Sequence, residues 1–122
     1  MKKANWVIHY ILGDYELKGL VNIHTHGMER YDHLDFQLVL PLGKQEAASL
    51  LNTICIEVQN GRRFQPGCYS GEIYTCDFRL ELHRETGRDV LRLIFPDEKM
   101  RFPEHPRCDR PYIFQNIKPR EK

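Results

Sequence analysis

Hydrophobic and polar residues alternate with a period of two in several stretches of this chain and follow a helical period in one. From Trp6 to Leu12, the residues Trp6, Ile8, Tyr10 and Leu12 share one face of an extended segment. Gly13-Asp14 behind it is a turn signal. Leu17 to His26 reads as the next strand. Leu17, Gly19, Val21, Ile23 and Thr25 share one of its faces, and Lys18, Leu20, Asn22, His24 and His26 share the other. The strand rise puts His24 and His26 on the same side, about 7 Å apart at Cα. The face opposite them is expected to meet the core. Gly27 to Asp35 is polar and turn-like, and Phe36 to Leu40 is a short apolar strand ended by Pro41 and Gly43.

Lys44 to Asn60 is the helix. Ala47, Leu51, Ile54, Cys55 and Val58 form its apolar stripe, Gly43 is an N-cap, and Gly61 suits the left-handed position past its end. Ile56 points away from the stripe as a lone exposed residue. Arg62 to Gly71 is a loop turning at Pro66-Gly67. From Glu72 to His83, Tyr74, Cys76, Phe78, Leu80 and Leu82 alternate with Thr75, Asp77, Arg79, Glu81 and His83, as in a sheet covered on one side. Glu85-Thr86-Gly87 connects this strand as a hairpin to Val90–Phe95, which Pro96-Asp97 ends.

The pattern predicts an α+β fold: an antiparallel or mixed sheet of about five strands with one main helix packed on one face. A length of 122 residues fits one domain. Residues 1–100 are read as that domain, and 101–122, with Pro103, Pro106, Pro111 and Pro119, as an extension docked through Tyr112, Ile113 and Phe114.

Composition adds exclusions. With 18 basic and 17 acidic side chains, no global field draws the chain to nucleic acid or to an anionic membrane. Lys118, Arg120 and Lys122 read as a solvated basic end. No apolar run approaches the ~20 residues of a transmembrane helix. The first residues lack the long apolar region of a signal peptide, so a cytoplasmic protein is expected. The four cysteines, at 55, 68, 76 and 108, form no Cys-x-x-Cys pair. Disulfides and a cysteine zinc site are therefore not expected, and Cys55 and Cys76 read as small core residues.

The candidate chemistry gathers between Asn22 and Asp35. His24 and His26 project from one strand face and can share a metal, with His33 or Asp35 as a further ligand. Imidazole and carboxylate donors suit zinc, iron or manganese. The same residues also suit a solvated polar sheet face. Gly19, His24, His26 and Glu29 are similar in order to the cupin metal motif, but their spacing is shorter and a helix interrupts the strands. His33-Leu34-Asp35 gives half of a two-histidine, one-carboxylate iron site. A small ligand is a further reading, held in a cleft by Asn22, His33 and Asp35 with Arg62 and Tyr69 across from them. Arg62-Arg63 also complements the negative end of the helix. Cys68 has no base placed beside it in sequence. Neither a Gly-x-Ser-x-Gly elbow nor a phosphate-binding glycine loop occurs.

Val21-Asn22-Ile23-His24-Thr25-His26-Gly27-Met28, His33-Leu34-Asp35-Phe36-Gln37-Leu38, Leu50-Leu51-Asn52 and Gly61-Arg62-Arg63-Phe64-Gln65-Pro66-Gly67 together resemble the bacterial domain of unknown function 4262 family. The resemblance spans about residues 17–95. Met28 stands where the pattern has leucine, and Leu34 where it has proline. His33 and Asp35 match the family's histidine and acid. The resemblance implies an α+β fold and brings no established activity, cofactor or catalytic residue. The sequence-based expectation is thus a binding or interaction protein that self-associates as a homo-oligomer. The alternatives are a metal-binding protein or metal-dependent enzyme, and a small-ligand or protein-partner binding domain.

Overall fold

The structure, a computed structural model, describes residues 5–12, 20–71 and 73–116. The expected turn at Gly13-Asp14, the start of the second strand at Leu17–Gly19, and the basic end with Lys118, Arg120 and Lys122 lie outside these residues. The described elements are β1 (Val7–Leu12), β2 (Val21–His26), β3 (Asp35–Val39), α1 (Lys44–Gln59), β4 (Gly67–Tyr69), β5 (Phe78–Glu85) and β6 (Arg88–Ile94). The strands form one mixed sheet in the order β1-β2-β3-β6-β5-β4. β3 and β6 run parallel, and the other neighbours are antiparallel. The fold is α+β as expected, with six strands among the described residues against an expected sheet of about five. The additional strand is β4, three residues long, which pairs with the start of β5 after the Pro66-Gly67 turn.

Alternation places Trp6, Ile8 and Tyr10 of the first segment and Val21 and Ile23 of β2 on the core side as expected, whereas Leu12 at the end of β1 is exposed. Ile23, Phe36 and Leu38, fully buried, face α1, whose Leu51, Ile54, Cys55 and Val58 cover them together with Leu80, Leu91 and Leu93. Full burial of each such side chain contributes roughly 1.5–3 kcal/mol. Gly43 caps the helix in an extended conformation, and Gly61 follows it at φ 105°. Arg63 donates to the Val58 carbonyl at 3.2 Å, the helix-end role expected of this arginine pair.

Glu72, where the expected strand starts, lies outside the described residues, and the stretch from Ile73 departs from expectation. The strand begins only at Phe78. Before it, the Tyr74 hydroxyl donates to the Leu50 carbonyl at 2.5 Å, and the Tyr74 ring packs edge-on against Phe78 and Phe95. The chain bends over α1 there, so the alternation of Tyr74 and Cys76 with polar neighbours reflects packing on a helix rather than extension. Cys76 is half-buried beside the core, and Leu82 is exposed beyond the reach of α1.

The other sheet face holds a buried polar chain. Asn22 Oδ1 accepts from Gln37 Nε2 at 2.8 Å, and Gln37 Oε1 accepts from Arg92 Nε at 2.8 Å. Arg92 Nη1 then donates to the Gln115 carbonyl at 3.0 Å. The Gln115 side chain accepts the Phe95 N–H and donates to the Phe95 carbonyl. Residues 112–115 thus dock on the sheet, with Phe114 against Leu20 and Val39. No helix among the described residues is long and apolar enough to cross a membrane.

Candidate metal centre

β1 and β2 pair with His9 opposite His24 and Val7 opposite His26. Period-two alternation puts His9, His24 and His26 on the face away from α1. Their ring centroids are 5.3 Å apart for His9–His24, 4.5 Å for His9–His26 and 4.9 Å for His24–His26. One ring nitrogen from each residue lies within 4.8 Å of the others. Tetrahedral ligands at roughly 2.0–2.1 Å from zinc stand about 3.3 Å apart, so the rings would have to draw together to share one ion. His24 is buried, His26 half-buried and His9 exposed, and the cluster opens to solvent on the His9 side.

The floor of the cluster comes from the β5–β6 hairpin. Thr86 and Gly87 have φ 46° and 82°, the pair of positive angles that a two-residue turn of primed type requires. The turn sets Glu85 opposite Arg88, which donates to it from Nε at 3.0 Å. Glu85 Oε1 lies 3.6 Å from His24 Nδ1, and both side chains are buried. His24 Nδ1 is also 3.1 Å from Asn22 Oδ1. Asn22 accepts at this oxygen, so Nδ1 carries the proton and Nε2 the lone pair. A histidine whose other nitrogen is held by a carboxylate and an amide oxygen is the arrangement that orients metal-bound imidazoles.

Burial and neighbouring charges disfavour protonation of His24 and His26. Burial lowers the pKa of His24; Glu85 opposes that effect, while His26, Arg88 and His9 add to it. Burial also lowers that of His26, assisted by Arg88 and His9 and opposed by Asp35 and Glu85. Burial acts to raise the Glu85 carboxyl, but Arg88, His24 and Thr86 outweigh it and hold it below the ordinary carboxylate value. Neutral imidazoles are the form that binds a metal.

The structure does not bring His33 or Asp35 into this cluster. His33 Nε2 accepts the Phe64 N–H at 2.9 Å, its Nδ1 lies 2.8 Å from the Leu34 carbonyl, and its ring stacks on Phe36 in the helix-side core. Both ring nitrogens are engaged, and the side chain serves as a clasp rather than a ligand. Asp35 accepts from Thr25 Oγ1 and the Met28 N–H on one oxygen, and from Arg88 at 2.6 Å on the other. Its carboxylate is spent on fixing the turn after β2. His9 takes the place expected of His33. The alternation of β1 already sets His9 opposite Ile8 and Tyr10; only the pairing of β1 with β2 was needed to find it.

The expected ligand cleft also divides. His33, Arg62 and Tyr69 all touch Phe64, the guanidinium of Arg62 standing 5.0 Å from its ring centroid. The Tyr69 hydroxyl bonds back to the Gln65 backbone. Asn22 belongs to the opposite sheet face. Four free thiols are present; burial pushes that of Cys55 up to about 12, and none of the four joins the histidines. No family model, curated protein or solved structure matches the chain.

Proposed function

We propose that this protein binds a divalent transition metal through His9, His24 and His26. The observation that carries the reading is the convergence of three imidazole nitrogens within 4.8 Å. The buried Asn22 and Glu85 behind His24 support it, since they fix the ring that projects least freely. An all-imidazole donor set favours zinc, or ferrous iron, over manganese, which prefers carboxylates. Three protein ligands and an exposed fourth side match zinc sites that act on ligands rather than closed structural ones. Membership of the domain of unknown function 4262 family belongs to the same reading and adds no activity to it.

Tagless protein stripped of metal should bind about one equivalent of zinc by calorimetry. His9→Ala and His26→Ala, both at accessible positions, should each weaken binding at least about tenfold. Binding below about a tenth of an equivalent, or the same affinity in both variants, would overturn the reading.

A second reading, self-association, is favoured by β1. Among the described residues this edge strand pairs only with β2, and Val7 and Leu12 on it are 55% and 71% exposed. A purely monomeric profile at micromolar concentration in sedimentation would remove it.

A further inference from the structure

Where β2 leaves the histidine cluster, the chain turns at Gly27 into a 3-10 turn, Met28–Tyr31. Gly27 has φ 129°, and a Cβ there would stand 2.7 Å from the Asn5 carbonyl oxygen and 2.9 Å from Trp6 Cα. The turn is therefore pressed against the start of β1. Met28 N–H on Asp35 and the left-handed Asp32 at its end hold it in place. Between the turn and β1 lies an open cavity of about 420 Å³. Trp6 and Val7 line one side, Glu29 and Arg30 another, and His26 belongs to both the cavity and the imidazole cluster.

Two charges border this cavity. The exposed Arg30 guanidinium makes no hydrogen bond or ion pair with any other described residue, and neither does the Glu29 carboxylate. A guanidinium fork matches a planar carboxylate or a phosphate. A metal held by three neutral imidazoles keeps its full double charge and favours an anion as its next ligand. Glu29 beside Arg30 penalises a multiply charged anion more than a monoanion, which points away from phosphate.

We infer that the cavity beside His26 binds a small carboxylate, with the carboxylate drawn by the metal and held by Arg30. The inference rests on the metal reading above. It assigns Arg30 a binding role, Val7 an apolar wall for the rest of the ligand, and Gly27 the close chain approach that fixes the turn against β1.

Cobalt(II) in place of zinc gives a visible spectrum that reports a change in its ligands. Acetate and glycolate added to cobalt-loaded protein should shift that spectrum with saturation, and inorganic phosphate at the same concentration should act more weakly. Arg30→Gln should weaken acetate at least about tenfold while leaving cobalt affinity within about twofold, and Arg30→Lys should restore part of the loss. Cobalt that binds but ignores acetate, answers phosphate equally well, or answers acetate equally in Arg30→Gln overturns the carboxylate site and leaves the metal site standing. Failure of cobalt and zinc to bind overturns both.

Discussion

Both nitrogens of the His33 ring are committed to backbone groups, the Phe64 N–H and the Leu34 carbonyl, while its face lies on Phe36. One hydrogen bond thus ties the segment just before β3 to the loop that follows α1. His9, with the same side chain, is exposed on an edge strand, and among the described residues its ring neighbours are His24 and His26. Opposite outcomes are expected for the two alanine variants. His33→Ala leaves the Phe64 N–H without its acceptor and should cost about 1–3 kcal/mol in urea unfolding, with zinc affinity unchanged. His9→Ala should leave the unfolding midpoint nearly in place. Equal zinc loss in His33→Ala would mean that the clasp, rather than the ring set, shapes the site.

Elements set the site through two turns, and these were unequally legible. The Glu85-Thr86-Gly87 hairpin was readable because glycine and a short polar break between alternating segments demand a tight turn. Its consequence was not readable: that it would carry Glu85 beneath His24 depends on β6 running parallel to β3, a pairing between distant segments. The histidine pair was likewise legible from alternation within β2, whereas His9 required the β1–β2 register. The bend before β5 was hidden because residues packing on a helix can alternate as a strand does. Gly27 is the second turn, and its role is steric. Gly27→Ala meets backbone at 2.7 Å and 2.9 Å, whereas Gly61→Ala, at φ 105°, meets nothing within 4 Å. Gly61→Ala should cost about 1 kcal/mol of strain alone. Gly27→Ala should cost more than about 2 kcal/mol and also weaken zinc, because relief of the clash pushes away β1 and its His9. Chemical unfolding and zinc calorimetry on the two variants separate strain from displacement.

At the scale of the whole molecule, part of the sheet's second face is covered by a return of the chain, and Asp97 pins that return just after β6. Its Oδ1 accepts the N–H groups of Lys99 and Arg101, and its Oδ2 accepts Arg101 Nε and the Asp109 N–H, at distances of 2.8–2.9 Å. Farther along, Gln115 bonds to Phe95 and completes the polar chain that ends at Asn22 and His24. The imidazole cluster and the return segment are therefore supported by one continuous network rather than by separate parts. Burial acts to raise the Asp97 carboxyl, but the Arg101, Asp109 and Lys99 hydrogen bonds outweigh it and hold it well below its ordinary value of 3.8. A carboxyl depressed by folding binds fewer protons in the native state. It therefore contributes stability that is present above pH 3.8 and lost as pH falls from there through the lower folded value. Asp97→Asn keeps one acceptor oxygen and loses the other, along with the charge that Arg101 pairs with. The variant should unfold at lower urea than the wild type at pH 7, and the gap should narrow at pH 3 and below as the wild-type carboxyl takes up its proton. A gap that is constant with pH would assign the loss to shape alone. A fall in zinc affinity for Asp97→Asn at pH 7 would show that the network transmits the return segment's order to the imidazoles.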